Sequence, residues 1–145
     1  MTLVDANLLL YAANRNAPEH EAARVWLDDR LNGTTRVGLP WPSLLAFVRI
    51  ASNPAAMRHP VTPSAAWSQV REWLECDSVW TPLPGGGHGE ILRPLIEAPF
   101  MTSRLVSDAH LAAIAIEHGL TLCSSDGDFA RFPGLKWENP LAALR

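Results

Sequence analysis

The 145-residue sequence has few residues that could cross-link the chain. Its two cysteines, Cys76 and Cys123, form neither a disulfide framework nor a thiolate metal motif. A chain of this length buries roughly two-thirds of the surface that its unfolded form exposes, so it needs no disulfide in order to fold. We therefore expect a protein of a reducing compartment, the cytoplasm.

Long hydrophobic runs are also absent. No apolar stretch approaches the roughly 18 residues of a membrane-spanning helix. Residues 1–5 contain no basic stretch, which is unlike a signal peptide. Hydrophobic residues make up 48% and charged residues 19% of the chain, a balance typical of a globular protein. We expect a single domain over residues 1–145 that has no contact with a membrane.

Lysine is almost missing. The chain has eleven arginines and one lysine, Lys136, and its net charge is −3. This charge excludes a global basic footprint for nucleic acid. Arginine suits bidentate contacts with phosphate or carboxylate, but a GC-rich genome favours the same residue. The positive charge alone therefore identifies no partner.

The hydrophobic pattern alternates short apolar strands with helices. Predicted strands cover residues 2–4, 37–40, 78–81, 120–123 and 135–137, and predicted helices cover residues 8–13, 18–32, 41–52, 62–76, 90–98 and 108–117. This alternation favours a parallel sheet that is covered on both faces. The predicted fold class is α/β, a three-layer α/β/α sandwich with a mainly parallel central sheet.

Four aspartates lie where such a sheet forms a site. Asp5 follows the first strand, and Asp126 and Asp128 follow the fourth. Ligands bind beyond the carboxyl ends of the strands in an open parallel sheet. Asp108 begins a helix whose apolar stripe continues at the third, fourth and seventh residues after it. We therefore expect the Asp108 carboxylate to point towards the sheet.

A cluster of buried carboxylates needs a positive charge, because each is costly to bury alone and together they repel. Carboxylate oxygens suit Mg²⁺ or Mn²⁺. Such a cation can activate water and stabilise displacement at phosphorus. The sequence therefore predicts metal-dependent hydrolysis of phosphodiester bonds, in which Asp5, Asp108 and Asp126 or Asp128 are the metal ligands and catalytic residues.

Each acid also has a purely structural interpretation. Asp5 or Asn7 could cap the first helix. Asp108 could be an N-cap or a first-turn acid. Asp126 could form an Asx-turn and Asp128 a cap. The joint pattern favours a site more than any single residue does.

Four segments of the chain have a recognisable order and spacing. They are residues 4–12, 39–49, 108–115 and 125–132. Together they resemble the PIN-domain ribonucleases, specifically the VapC-type toxins of toxin–antitoxin pairs, over essentially the whole chain. The resemblance implies an Mg²⁺-dependent endoribonuclease, in which Mn²⁺ can substitute. It also implies a cognate VapB-type antitoxin and a homodimer.

The resemblance assigns a role to individual residues. Its first acid matches Asp5, its helix-borne acid matches Asp108, and its last acid matches Asp126 or Asp128. Asn7 matches a small polar position that supports the first acid.

One segment departs from the family pattern. Many members carry a glutamate on the helix after the second strand, whereas residues 44–49 here contain no acid. The stretch resembles a subgroup with Trp and Phe-x-Arg at this place. The number of metal ions therefore stays open. Arg49 is a candidate for contact with phosphate.

Two other functions compete with the nuclease. A catalytically degenerate PIN-fold protein that binds or regulates is favoured by the missing glutamate. A receiver-like module with Asp5 as phospho-acceptor needs a second acid beside it and a well-placed lysine. The glycines at 85–87 lack the Lys-Ser/Thr of a P-loop. We expect His110 and most of the tryptophans to pack rather than to act.

Overall fold

The computed structural model describes residues 1–142, and it consists of a five-stranded sheet between two layers of helices. The strands are β1 (Thr2–Val4), β2 (Val37–Gly38), β3 (Val79–Trp80), β4 (Thr121–Cys123) and β5 (Lys136–Glu138). The helices are α1 (Ala6–Ala13), α2 (His20–Leu31), α3 (Trp41–Ala51), α4 (Pro63–Leu74), α5 (His88–Ile96) and α6 (Val106–His118). Short 3-10 helices cover Ser103–Leu105 and Gly127–Arg131.

All pairings in the sheet are parallel, and the strand order is β3-β2-β1-β4-β5. Parallel neighbours need a crossover connection. Each of the first three connections along the chain therefore contains two helices. The register places Leu3 opposite both Gly38 and Leu122, and Val4 opposite Cys123. The predicted three-layer α/β/α fold is confirmed.

The two faces of the sheet carry separate hydrophobic cores. Leu3 and Leu122 point into one core, which α5 and α6 cover. Their successors Val4 and Cys123 point into the other, which α1, α2, α3 and α4 cover. Strands that are buried on both faces must be apolar throughout, which explains why they read as continuous hydrophobic runs.

Several helix boundaries differ from the predicted ones for identifiable reasons. α1 begins at Ala6 because Asp5 caps it. α2 begins at His20 rather than at Pro18, since residues 15–19 form turns and a bend. α5 begins at His88, inside the predicted glycine turn, where the Glu117 carboxylate holds the Gly85 N–H. The other boundaries agree within about two residues.

Within residues 1–142, no helix is long and apolar enough to cross a membrane. Both cysteines are free thiols, and Cys123 is buried in the sheet.

Candidate functional site

The carboxyl ends of β1 and β4 bring together two segments that are distant in the sequence. Val4 pairs with Cys123, and the Asp5 N–H donates to the Cys123 carbonyl at 3.0 Å. The connections leave β1 towards β2 on one side, whereas β4 lies on its other side. Such a switch in strand order is where open α/β sheets bind ligands.

Ser124 links the ends of β1 and β4 through side-chain hydrogen bonds. It is fully buried, and its hydroxyl donates to Asp5 Oδ2 at 2.7 Å. Ser124 Oγ also accepts hydrogen bonds from the Asn7 side-chain amide at 3.1 Å and from the Asp126 N–H at 3.0 Å. One donor and two lone pairs are thus all used. The sequence analysis did not single out Ser124; its only signal is a small polar residue directly after a buried strand.

Asp5 lies between the strand end and the first helix, and its two carboxylate oxygens have different partners. Its Oδ1 accepts the Ala6 N–H at 2.8 Å, so it caps α1. Its Oδ2 faces Ser124 at the strand end. Burial raises the pKa of the Asp5 carboxyl, and the hydrogen bonds from Ser124 and Ala6 oppose this rise. The negative charge of Asp126 raises it further.

Asp108 is a half-buried acid that lacks a partner. It is the third residue of α6, so it is a first-turn acid and not the N-cap. No hydrogen bond or ion pair reaches its carboxylate from any residue between 1 and 142. The pKa of Asp108 is raised to about 6, and burial is the largest cause.

The charges of neighbouring acids contribute to the same rise in the pKa of Asp108. Asp5, Asp126 and Asp128 all contribute in this direction. The Arg104 guanidinium acts in the opposite direction. The structure therefore brings the four predicted aspartates into one electrostatically coupled group, with an arginine that the sequence analysis did not identify.

Asp126 and Asp128 occupy different surroundings. Asp126 Oδ1 accepts the Asp128 N–H at 2.9 Å, the Asx-turn that the sequence allowed. Asp128 is ion-paired, because its Oδ2 accepts from Arg104 Nη1 at 2.9 Å. A nitrogen of Arg131 lies 3.7 Å from its other oxygen. Asp128 is therefore the more neutralised of the two.

The donor set fits a hard cation, although the side chains do not already form a closed cage. The Asn7 Oδ1 oxygen is buried and accepts no hydrogen bond from residues 1–142. Carboxylate and amide oxygens are the ligands that Mg²⁺ and Mn²⁺ prefer. In that same part of the chain, no three His, Cys, Asp or Glu side chains converge as a ready metal group.

The helix that lacks the family glutamate is filled with apolar side chains. Leu44 and Phe47 are buried, and Phe47 packs edge-to-face on Trp73 with ring centroids 4.8 Å apart. Arg49 is exposed and lies about 12 Å along α3 from the first residue of that helix. The structure does not place Arg49 among the acids.

The remaining candidates lie outside this group. His110 Nδ1 lies 2.9 Å from His88 Nε2, between α5 and α6. The Gly85 N–H already donates to both oxygens of Glu117, so a second anion would meet a carboxylate there. Trp73 lies in the core, while Trp26 and Trp80 pack partly buried against it.

We expect Ser124→Ala to lower the free energy of unfolding by about 1–3 kcal/mol, because the buried Asp5 and Asn7 side chains and the Asp126 N–H lose their shared partner. Urea unfolding measures this change. Ser125→Ala, one residue away and less buried, is the matched control and should stay within about 0.5 kcal/mol of wild type. Equal stability of the two variants would contradict a stabilising role for the Ser124 hydrogen bonds.

Asp108 should make the stability of the metal-free protein depend on pH. Its pKa rises from 3.8 to about 6 on folding, so the folded state binds the proton more tightly than the unfolded chain does. Ionised Asp108 therefore lowers the free energy of unfolding. This loss is absent at low pH and develops as the pH rises through the range from 3.8 to about 6. Allowing for solvent screening of this half-exposed group, we expect a loss of about 1 kcal/mol.

Urea unfolding in EDTA at both ends of this pH range measures the effect. Asp108→Asn should lose less stability than wild type as the pH rises. Asp77→Asn removes the same charge from an exposed position outside the site and should follow wild type. Parallel pH profiles for Asp108→Asn and wild type would contradict the assignment.

Comparison with known proteins agrees with this architecture. The PIN domain family matches residues 2–135. The chain is 42% identical to Ribonuclease VapC37 of Mycobacterium tuberculosis, over 99% of this chain and all of that relative. It is 41% identical to Ribonuclease VapC33 of the same species, over 97% of this chain and 99% of the relative.

Solved structures share the fold at lower sequence identity. The M. tuberculosis VapC20 toxin, described as cleaving the sarcin–ricin loop, matches with a TM-score of 0.65 at 18% identity, over 94% of this chain and 99% of that one. VapBC2 of Rickettsia felis, solved with promoter DNA, matches with a TM-score of 0.67 at 16% identity, over 95% and 97%. From its match to the family and its full-length relatives, the chain belongs to the VapC-type ribonuclease toxins of the PIN-domain family.

Proposed function

We propose that this ribonuclease hydrolyses single-stranded or loop RNA at the carboxyl edge of its sheet, where Asp5, Asp108 and Asp126 hold Mg²⁺ or Mn²⁺. The observation that carries the proposal is Asp108, a half-buried carboxylate that no partner reaches within residues 1–142 and whose pKa is raised to about 6 by burial and by neighbouring acids. These acids would hold a divalent cation, which would supply the missing positive charge and the chemistry for activating water and for neutralising charge on the phosphate.

The residues around the acids orient them. Ser124 and the N-terminus of α1 fix the two oxygens of Asp5 in separate directions. Asn7 lies in the same network and offers a buried amide oxygen to the cation or to a water molecule that the cation holds. The hydrogen bonds to Asp5 oppose the rise of its pKa and fix the carboxylate at the strand ends.

Asp126 is the better choice for the third ligand. Ser124 Oγ contacts both the Asp5 carboxylate and the Asp126 N–H, and the charge of Asp126 raises the pKa of Asp5, whereas Asp128 is paired with Arg104. Asp128 then has the separate role of holding Arg104 at the rim of the site. The Arg104 side chain is 67% exposed. Its guanidinium can therefore reach the RNA phosphate, which it matches in shape and charge.

The competing functions receive less support. The charges of Asp5, Asp126 and Asp128 all raise the pKa of Asp108, so the four aspartates lie near one another. This grouping favours an enzyme over a degenerate binding protein. A receiver-like module needs a lysine at the acids, and Lys136 is an exposed residue of the outermost strand β5. The single domain over residues 1–145, the cytoplasmic location and the homodimer stay predictions; a molar mass in solution tests the last.

The purified protein should cleave single-stranded RNA in Mg²⁺ or Mn²⁺ and should lose this activity in EDTA. Asp5→Asn keeps the shape and the capping ability of the residue but removes one charge. We expect it to abolish cleavage and to lower the free energy of unfolding of the metal-free protein by about 1 kcal/mol, because an amide nitrogen in place of Oδ2 cannot accept the Ser124 hydroxyl. Asp77→Asn is the control that should cleave normally. Full cleavage by Asp5→Asn, or by wild type in EDTA, would overturn the proposal.

A thermal shift gives the same experiment a readout that does not depend on turnover. A cation that binds only the folded state stabilises it by about 2.7 kcal/mol at one hundred times its Kd. Mn²⁺ should therefore raise the Tm of wild type, and it should raise the Tm of Asp108→Asn and Asp126→Asn much less. Asp128→Asn should keep most of the shift. A loss confined to Asp128→Asn would exchange the roles of Asp126 and Asp128.

We further propose a VapB-type antitoxin as the protein partner, with an apolar segment in the groove between α1, α3 and α4. This groove has a cavity of about 390 Å³. Leu10, Phe47 and Ala66 line its floor, and Arg15 and Arg58 lie among its lining residues. The groove lies along α1, which begins directly after Asp5, so a bound segment could continue to the acids. A basic side chain of that segment would compete there with the metal for the carboxylates.

Co-expression with the product of the neighbouring small reading frame should relieve growth inhibition by the toxin. Ala13→Trp places a large side chain in the groove and should weaken this relief while RNA cleavage stays unchanged. Val25→Trp makes the same change on the exposed side of α2 and should be relieved normally. Equal relief of both variants would exclude the groove as the antitoxin site.

A further inference from the structure

Two tryptophans form an exposed aromatic pair on α3 and α4. Trp41 is 37% exposed and Trp67 is 41% exposed. Their rings are nearly parallel, with an interplanar angle of 13° and centroids 6.2 Å apart. Six residues further along each helix, Phe47 and Trp73 join the same two helices inside the core. The buried pair joins α3 to α4 inside the core, whereas the pair of tryptophans joins the same helices at the surface and leaves more than one-third of each side chain open to solvent.

The strand register places this pair beside the acids. Leu3 pairs with Gly38, so Asp5 stands level with Pro40, one residue before Trp41 begins α3. β1 and β2 are direct neighbours, and adjacent strands are about 4.8 Å apart. The backbone of Trp41 therefore lies within roughly 10 Å of Asp5. Trp41 therefore begins α3 at the edge of the sheet where Asp5 lies, and Trp67 stacks on it.

Positive charge continues from the aromatic pair in the direction away from the acids. Arg49 is the single charged residue of α3, and it is exposed two turns beyond Trp41. Arg71 is exposed one turn beyond Trp67 on α4. Along both α3 and α4, an arginine thus follows the tryptophan in the direction of the chain.

We propose that Trp41 and Trp67 form a stacking platform for an unpaired base of the RNA substrate, next to the phosphodiester that is cut. Arg49 and Arg71 then contact phosphates further along the strand. The inference rests on the proposed RNA hydrolysis at the acids. Single-stranded RNA presents splayed bases that stack on aromatic side chains, and every base has a π-face. The platform therefore favours unpaired over paired RNA and does not by itself select a base.

The size of the patch favours a base over a second protein. Tryptophan contributes at most about 250 Å² of surface. The exposed parts of the two rings and of Leu45, which is 57% exposed beside them, therefore sum to roughly 300 Å². A stable interface between two proteins needs about 800 Å² from each partner. The patch covers less than half of that area, whereas a stacked base needs only one ring face.

Fluorescence anisotropy with a short, fluorescein-labelled single-stranded RNA of mixed sequence, measured in EDTA, tests the platform without cleavage. Trp41→Leu and Trp67→Leu should each raise the Kd about 10-fold, because loss of one stacked base has an effect of this size. Trp41→Phe keeps a π-face and should stay within about 3-fold of wild type. Val25→Ala, an exposed apolar residue of α2, should bind as wild type does. Trp41→Leu and Trp67→Leu should each lower the Tm by about 2–4 °C, because each removes a partly buried ring and its contact with the other ring, whereas Val25→Ala should keep the wild-type Tm.

A second series replaces single nucleotides of the RNA by abasic residues. One abasic position should weaken binding to wild type but should have little further effect on Trp41→Leu. Unchanged affinity in both leucine variants, with RNA cleavage by wild type in Mg²⁺, would overturn the platform and leave the nuclease intact. Weakened binding in the variants of a wild type that does not cleave would retain the platform and overturn the nuclease. A dimer that Trp41→Leu dissociates, with unchanged RNA affinity, would assign the patch to a second copy.

Discussion

The parallel pairing of β1 with β4 is the constraint on which the site depends. It aligns two strands whose following residues, Asp5 and Ser124, are 119 positions apart in the chain. Because side chains alternate along a strand, a slip of one residue would turn the polar group of each strand end to the opposite face. The register is held by the apolar alternation of Leu3 with Val4 and of Leu122 with Cys123, each buried in a different core. Hydrophobic burial on both faces thus determines the position of a polar site at the edge.

The site concentrates like charge, and the fold relieves only part of it. Ser124 and the first turn of α1 stabilise ionised Asp5, and Arg104 neutralises Asp128. Asp108 receives no such partner within residues 1–142, and its raised pKa measures the remaining repulsion and burial. Natural proteins keep such local conflicts where function needs them and compensate with stability elsewhere. A cation at these acids removes the conflict, so binding and folding stability are linked at this edge.

Much of the architecture could be predicted from the sequence because its signals are local. Buried strands read as apolar runs, Thr62 and Gly119 mark helix ends, and the rule for open parallel sheets locates the acids. The rest depends on contacts between distant residues. Ser124 gains its role from Asp5, and Arg104 pairs with Asp128 24 positions away. Neither partner is visible in a short sequence window, so the distinction between Asp126 and Asp128 needed the structure.

The helix without a glutamate illustrates how one element can contribute something other than charge. The inner side of α3 carries Leu44 and Phe47, whose burial leaves no room there for an ionised group. Its first residue, Trp41, nevertheless stands one position beyond the level of Asp5 at the edge of the sheet. On the proposal of a stacking platform, α3 faces the substrate through an aromatic ring rather than through a metal ligand. The acids needed for the cation then come from β1, α6 and the segment after β4, while α3 and α4 hold the RNA strand.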